Sequence, residues 1–188
     1  MEPVTLVTKR LTLSAPTDAD VDAIYAACQD PDIQRYTTLP SPYERRHANG
    51  FIPFARTRWA QDAEATWAIR EDGRLAGMIS INGISAGGTG EIGYWVAPTA
   101  RRRAVLTEAA RAVIDWGFSG AGPALQRLQW RAVAGNVASA RSARALGFRY
   151  EGLLRGALAN SFGRDDGWIA GLLPQDDRMP QPWPVLPD

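Results

Sequence analysis

GEIGYWVAPTARRRAVLTEA, residues 90–109, reads as a strand, a turn and the start of a helix in immediate succession. Gly90 to Pro98 is apolar and aromatic enough for a strand, and Pro98 ends it. From Thr107 to about Phe118 the apolar residues Ala109, Val113 and Trp116 recur on one helical face, with Glu108, Arg111 and Asp115 on the other. Between strand and helix lies Ala100 to Glu108, which opens with three consecutive arginines. A turn that feeds a helix N-terminus presents free N–H groups and the positive end of the helix dipole, so this segment is a candidate anion site.

Toward the N-terminus, ATWAIRE (65–71) and RLAGMISING (74–83) flank Asp72-Gly73, a two-residue hairpin signal. Gly87 to Gly90 form a second turn. Residues 4–13 alternate as one half-buried strand. Thr17 and Asp18 offer N-caps to a helix with Val21, Ile24, Tyr25 and Cys28 on one face, and Asp30-Pro31 stops it. The segment from Tyr36 to Pro42 reads as a loop. A second helix is expected from Tyr43 to Ala60, with Phe51, Phe54, Ala55 and Trp59 on one side and Pro53 kinking or splitting it.

Toward the C-terminus come a strand over 125–133, a helix from Asn136 to Leu146 closed by Gly147 with Phe148 beyond it, and strands near 149–154 and 165–173. Residues 174–188, PQDDRMPQPWPVLPD, form a proline-rich tail, expected to be extended. The expectation is one domain over 1–173 plus that tail. Hairpin-linked strands followed by alternating helices and strands imply an α/β fold of the α+β kind, a mixed sheet with helices on both faces.

The charge balance, 21 basic against 20 acidic residues, supplies no general attraction to nucleic acid or a membrane surface. Lys9 is the only lysine, and most of the arginines are expected to be solvated surface. Cys28 and His47 are each alone of their kind, which excludes an internal disulfide and zinc sites built from several thiolates. No metal is expected, and His47 reads as surface. The opening MEPVTLVTKRLTL lacks the shape of a signal peptide, and no apolar run approaches the roughly 20 residues of a membrane span, so a cytoplasmic protein is expected. Trp59, Trp67, Trp95, Trp116, Trp130 and Trp168 are mostly core by their spacing.

Four stretches together resemble the GNAT superfamily of acyl-CoA-dependent N-acetyltransferases, in its RimJ/RimL-like branch. They are KRLTLSAPTDAD, DPDIQRYTTLPSPY, GEIGYWVAPTARRRAVLTEA, and AGNVASARSARALGF with EGLLRG after it. The resemblance implies the GNAT acyl-CoA N-acyltransferase fold with splayed central strands, and acetyl-CoA as co-substrate. The pantetheine arm would lie along Glu91 to Val96 like an added strand, with Trp95 and Val96 beside it. The pyrophosphate would sit on Arg101, Arg102, Arg103, Ala104, Val105, Leu106 and Thr107. Relatives carry glycine where this chain has Ala104, a small residue in place of Leu106, and often glycine in place of Arg102. The arginine triplet would offset the added bulk with cations.

By the same resemblance, Glu91 would be the base, often acting through water, and a backbone N–H near Trp95 or Val96 would steady the oxyanion. Asn136 and Ser139 would face the thioester, Ser139 donating to the leaving sulfur. Asn136 is equally an ordinary N-cap. The tyrosine that many relatives carry seven residues after the asparagine is Ala143 here. Tyr36 and the loop to Tyr43 would shape the acceptor pocket, with Trp95 as a wall. The acceptor would be a primary amine: a protein N-terminus, a small metabolite or an antibiotic. Two alternatives stay open: a non-catalytic ligand sensor or partner-binding module whose tail docks on another subunit, and an enzyme with a different acyl donor. A homodimer is compatible with either.

Overall fold

The computed structural model describes residues 1–85 and 88–186. The turn expected at Gly87 lies partly outside them, and Thr89 and Gly90 already belong to a strand. Eight strands form one sheet: β1 Leu6–Val7, β2 Leu11–Ser14, β3 Glu64–Glu71, β4 Arg74–Asn82, β5 Thr89–Val96, β6 Arg127–Val133, β7 Arg149–Asn160 and β8 Gly163–Leu172. Their order is β1-β2-β3-β4-β5-β6-β8-β7, and only β5 and β6 run parallel. The helices are α1 Val21–Ala27, α2 Pro31–Tyr36, α3 Arg45–Ala60, α4 Val105–Phe118 and α5 Val137–Ala145. The mixed sheet with helices on both faces stands as expected. No helix among the described residues is long and apolar enough to cross a membrane.

Asp72 and Gly73 turn β3 into β4 with positive φ at both positions, as a two-residue hairpin requires. Alternation on β5 then divides the core. Ile92, Tyr94 and Val96 face the larger cluster with α4 and α5, where Trp59, Trp67 and Trp116 meet with ring centroids 5.0–5.8 Å apart. Trp95 faces the other way, against the cluster of Val21, Ile24, Ile33, Ala48 and Ile52 from α1, α2 and α3.

Several local expectations change. The strand over 4–13 is a short hairpin, β1 and β2, joined where the Thr8 N–H donates to the Leu11 carbonyl. Asp30-Pro31 stops α1 as expected but also starts a further helix. Asp30 caps α2, accepting from the Ile33 N–H at 3.0 Å, and Pro31 takes the first helical position, where its missing N–H removes nothing. Pro53 does not split α3. It lies on the exposed side, so the Asn49 carbonyl it leaves without a partner faces water, while Ala48, Ile52, Ala55 and Trp59 form the buried stripe. Phe54 is consequently 52% exposed instead of inward. Strands β7 and β8 run longer than expected and meet in a turn at Ser161-Phe162.

The tail folds back on its own chain. Trp183 is buried against Trp130 and Tyr150, its indole N–H donates to the Phe148 carbonyl at 3.1 Å, and Leu186 is buried beside it. Trp183 is therefore not presented to another subunit. The tail also crosses the end of α5. Gly147 has φ +90°, and a Cβ there would meet the Arg178 backbone at 2.5 Å. The glycine thus serves both the helix C-cap and the tail's passage.

Candidate active site

The parallel ladder of β5 and β6 spans only Thr89–Glu91 opposite Arg127–Gln129, yet β5 continues to Val96 and β6 to Val133. The strands part after Glu91. On the opposite edge β5 stays in register with β4, and the Ala97 N–H donates to the Ala76 carbonyl at 2.9 Å. Antiparallel alternation then sends the N–H and C=O of Trp95 toward β4 and those of Ile92, Tyr94 and Val96 into the gap. Of the two oxyanion donors expected, the structure leaves Val96 N–H facing the gap and commits Trp95 N–H to the ladder.

The gap opens toward the loop of residues 101–104. Ala104 has φ 56° and ψ 14° as the N-cap of α4, and Arg102 has φ 60°. Both stand in the left-handed region that glycine favours, at the two positions where relatives carry glycine. Among the described residues, the N–H groups from Arg102 to Thr107 find no acceptor of normal hydrogen-bond geometry, while Glu108 N–H closes the first helical turn on Ala104. Val105 is buried, and Leu106, partly buried, packs against the larger core.

The arginine triplet is not three free cations. Arg101 donates to both carboxylate oxygens of Asp30, at 2.7 and 3.3 Å, and to the Val96 carbonyl at 3.3 Å. Burial works against the Asp30 carboxylate, but the Arg101 bonds and the Ile33 N–H outweigh it and hold its carboxyl below the usual range. Arg103 pairs with Glu71 at 2.9 Å. Arg102 alone of the three makes no ion pair among the described residues. The first helical turn is pinned from behind by Glu108, which accepts from Thr8 Oγ1 at 2.7 Å and from the Arg10 backbone N–H and Nε at 3.0 and 2.8 Å. The Thr8 and Arg10 bonds lower its carboxyl.

Glu91 sits at the fork of the two strands. Its Oε2 accepts from Arg131 at 2.6 and 2.7 Å and from Gln129 at 3.0 Å, leaving Oε1 without a partner among the described residues. Asn136 is the N-cap of α5, and its Oδ1 accepts from the Ser139 N–H at 3.2 Å. Ser139 Oγ lies 2.9 Å from the Tyr94 hydroxyl and 3.1 Å from Trp130 Nε1, which is itself 3.0 Å from the Tyr94 hydroxyl. This triangle spans the parted strands and α5. Tyr94 went unassigned from sequence because its position on an alternating strand reads as core. Its place in the IGYW segment beside the fork was the only signal.

Tyr36 ends α2 beside the Arg35 guanidinium, 5.6 Å from its ring centre. Arg35 forms a two-bond pair with Asp165 of β8, both at 2.8 Å, and Ser161 in the β7–β8 turn donates to the Leu39 carbonyl at 2.9 Å. The segment expected to shape the pocket is thus held against the β7–β8 turn. Tyr43 is not in that pocket. It is 4% exposed in the second core cluster, with its hydroxyl on the Cys28 thiol, and burial pushes that thiol up to about 12.

The model of the family described as "Acetyltransferase (GNAT) domain" matches residues 10–149. The uncharacterized N-acetyltransferase YoaA of Bacillus subtilis (strain 168) is 30% identical over 153 residues, covering 80% of this chain and 85% of that protein. Among solved structures, Mycobacterium smegmatis RimJ in complex with CoA-disulfide superposes with a TM-score of 0.83 at 21% identity, over 94% of this chain and 93% of that one. A putative ribosomal-protein-serine acetyltransferase from Vibrio cholerae superposes with a TM-score of 0.80 at 23% identity, over 91% and 98%.

Proposed function

The chain belongs to the acetyltransferase (GNAT) family, and from that premise we propose that it moves an acetyl group from acetyl-CoA to a primary amine by direct attack. The observation that carries this reading is the break in the β5–β6 ladder after Glu91, which leaves the polar groups of Tyr94 and the N–H of Val96 facing the gap and leads into a loop of free N–H groups. An open strand edge suits an amide-bearing arm, and a loop of free N–H groups at a helix start suits a pyrophosphate. The residues present therefore fit acetyl-CoA, held by β5, by the N–H groups of 102–107 and by Arg102. M. smegmatis RimJ, of the same fold, was solved in complex with CoA-disulfide.

Acetyl-CoA supplies an acetyl group activated as a thioester. Glu91 Oε1 is placed at the fork to take a proton from the incoming ammonium, directly or through water. Val96 N–H faces the gap where the carbonyl oxygen gathers charge. Ser139 donates toward the sulfur. The acceptor is an amine brought in past Trp95 and Tyr36: a protein N-terminus, a small metabolite or an antibiotic.

The loop geometry supports CoA binding, because Ala104 and Arg102 keep the backbone shape that glycine would give and Leu106 packs against the core. Calorimetric titration with acetyl-CoA tests the premise, and thiol release over a panel of peptides, polyamines and aminoglycosides tests the reaction. Absence of binding at millimolar acetyl-CoA sinks the reading. Binding without thiol release on any amine favours the sensor, and acyl transfer only from longer acyl-CoAs or acyl-carrier thioesters favours a different donor.

A further inference from the structure

We propose that Tyr94 is a positioning residue that aims the Ser139 hydroxyl hydrogen at the departing sulfur; the proposal rests on the acetyl-CoA reading above. Serines inside helices ordinarily donate back to the carbonyl four residues earlier, as Ser142 does to Ala138 at 3.0 Å. Ser139, one turn earlier, is the third residue of α5, and residue 135 four before it lies outside the helix. The Ser139 Oγ is drawn instead to Tyr94 and Trp130. An indole N–H can only donate, so Trp130 gives its hydrogen to the two oxygens. We assign the hydrogen of the phenol, a better donor than an aliphatic hydroxyl, to Ser139 Oγ at 2.9 Å, nearer than the Ser139 carbonyl at 3.3 Å. Both lone pairs of Ser139 Oγ are thereby filled, and its own hydrogen must point out of the triangle.

That hydrogen emerges at the start of α5, beside the parted strands. Burial pushes the Tyr94 phenol up to about 12, so it stays protonated and donating at neutral pH. In the transfer step the amine nitrogen bonds to the acetyl carbon and the carbon–sulfur bond breaks. The electron pair leaves on sulfur, where the Ser139 O–H receives it as a hydrogen bond. The ammonium gives one proton to Glu91 before attack, and the second nitrogen proton, released as the adduct collapses, passes through water to the thiolate.

Free CoA is the probe, because its thiol reports the donor without any acceptor. Bound to the full chain, its titration is followed by thiolate ultraviolet absorbance in wild type, Tyr94→Phe and Ser139→Ala. In wild type the bound thiol titrates below its free value of about 8.5. Tyr94→Phe keeps the ring and removes only the hydroxyl. It is expected to raise the bound titration by about one pH unit, a tenfold change, with CoA affinity within about threefold of wild type. Ser139→Ala is expected to shift it at least as far. An unchanged titration in Tyr94→Phe with CoA still bound overturns this proposal alone. Failure of wild type to bind CoA overturns it together with the function it rests on.

Discussion

Replacing Ala104 by glycine is expected to stabilise the protein, against the usual rule that glycine weakens a fold. Ala104 holds φ 56° and ψ 14° at the N-cap of α4. An L-residue in the left-handed region carries about 1–2 kcal/mol of steric cost between Cβ and the following carbonyl. Glycine removes that cost and adds back about 0.5–1 kcal/mol of unfolded-chain entropy. Ala104 is exposed and its methyl packs on nothing in the core, so no transfer energy is lost. The net gain is about 0.5–1 kcal/mol, or roughly 1–4 °C in melting temperature for a domain of this size. Ala104→Val should move the other way by at least as much, because a β-branched side chain resists this conformation more strongly. Thermal and urea unfolding of the three proteins would measure it. A lower melting temperature for the glycine variant, or a valine variant indistinguishable from wild type, would refute the strain argument.

Asp20→Asn should destabilise the protein by about 2–3 kcal/mol at pH 7, because it strands Arg70, which donates to both Asp20 oxygens in a pair only 5% exposed on the acid side. Burial opposes the Asp20 carboxylate, but the Arg70 and Thr17 bonds win and lower its carboxyl. Its contribution is therefore full above the ordinary value of 3.8 and fades as pH falls through the lowered one, so wild type and variant should converge in acid and nowhere else. Trp183→Ala should cost about 3–5 kcal/mol in urea melts, as for other buried aromatic truncations. Gly77→Ala should destabilise and weaken CoA binding together, since its Cβ would lie 2.4 Å from the Trp95 carbonyl oxygen and push β5 out of register with β4; unchanged CoA affinity would detach that ladder from the site.

The parts legible in the sequence are those fixed by local chemistry. Asp72-Gly73 demands two positive φ values, the α4 stripe repeats at helical spacing, and Asn136 and Gly147 bracket α5. Pro31 ends one helix as expected, and it also begins another, which the sequence reading missed, because the aspartate before it caps the new start. Pro53 does not split α3, because its effect depends on which side of the helix meets water. The loop of 101–104 identified the family, yet its side chains were misjudged. Whether Arg101 and Arg103 are free depends on Asp30 and Glu71, which lie far away in sequence. Tyr94, Tyr43 and Trp183 show the same limit. Their sequence neighbourhoods do not tell a core ring from a site ring or a tail ring; only tertiary packing does.

The returning tail has a consequence for how the protein is made. Trp183 stacks on Trp130, with ring centroids 5.5 Å apart, and Trp130 holds Ser139 and Tyr94. A chain leaves the ribosome N-terminus first. Glu91, the 102–107 loop and Ser139 are all synthesised well before the ring that backs their triangle. A chain cut short near Leu173 would carry every residue of the candidate site and still leave Trp130 unsupported on one side. Full synthesis, not only correct folding of the sheet, is then the condition for a rigid site. Tags or fusions placed against residues 183–186 would be felt at Ser139.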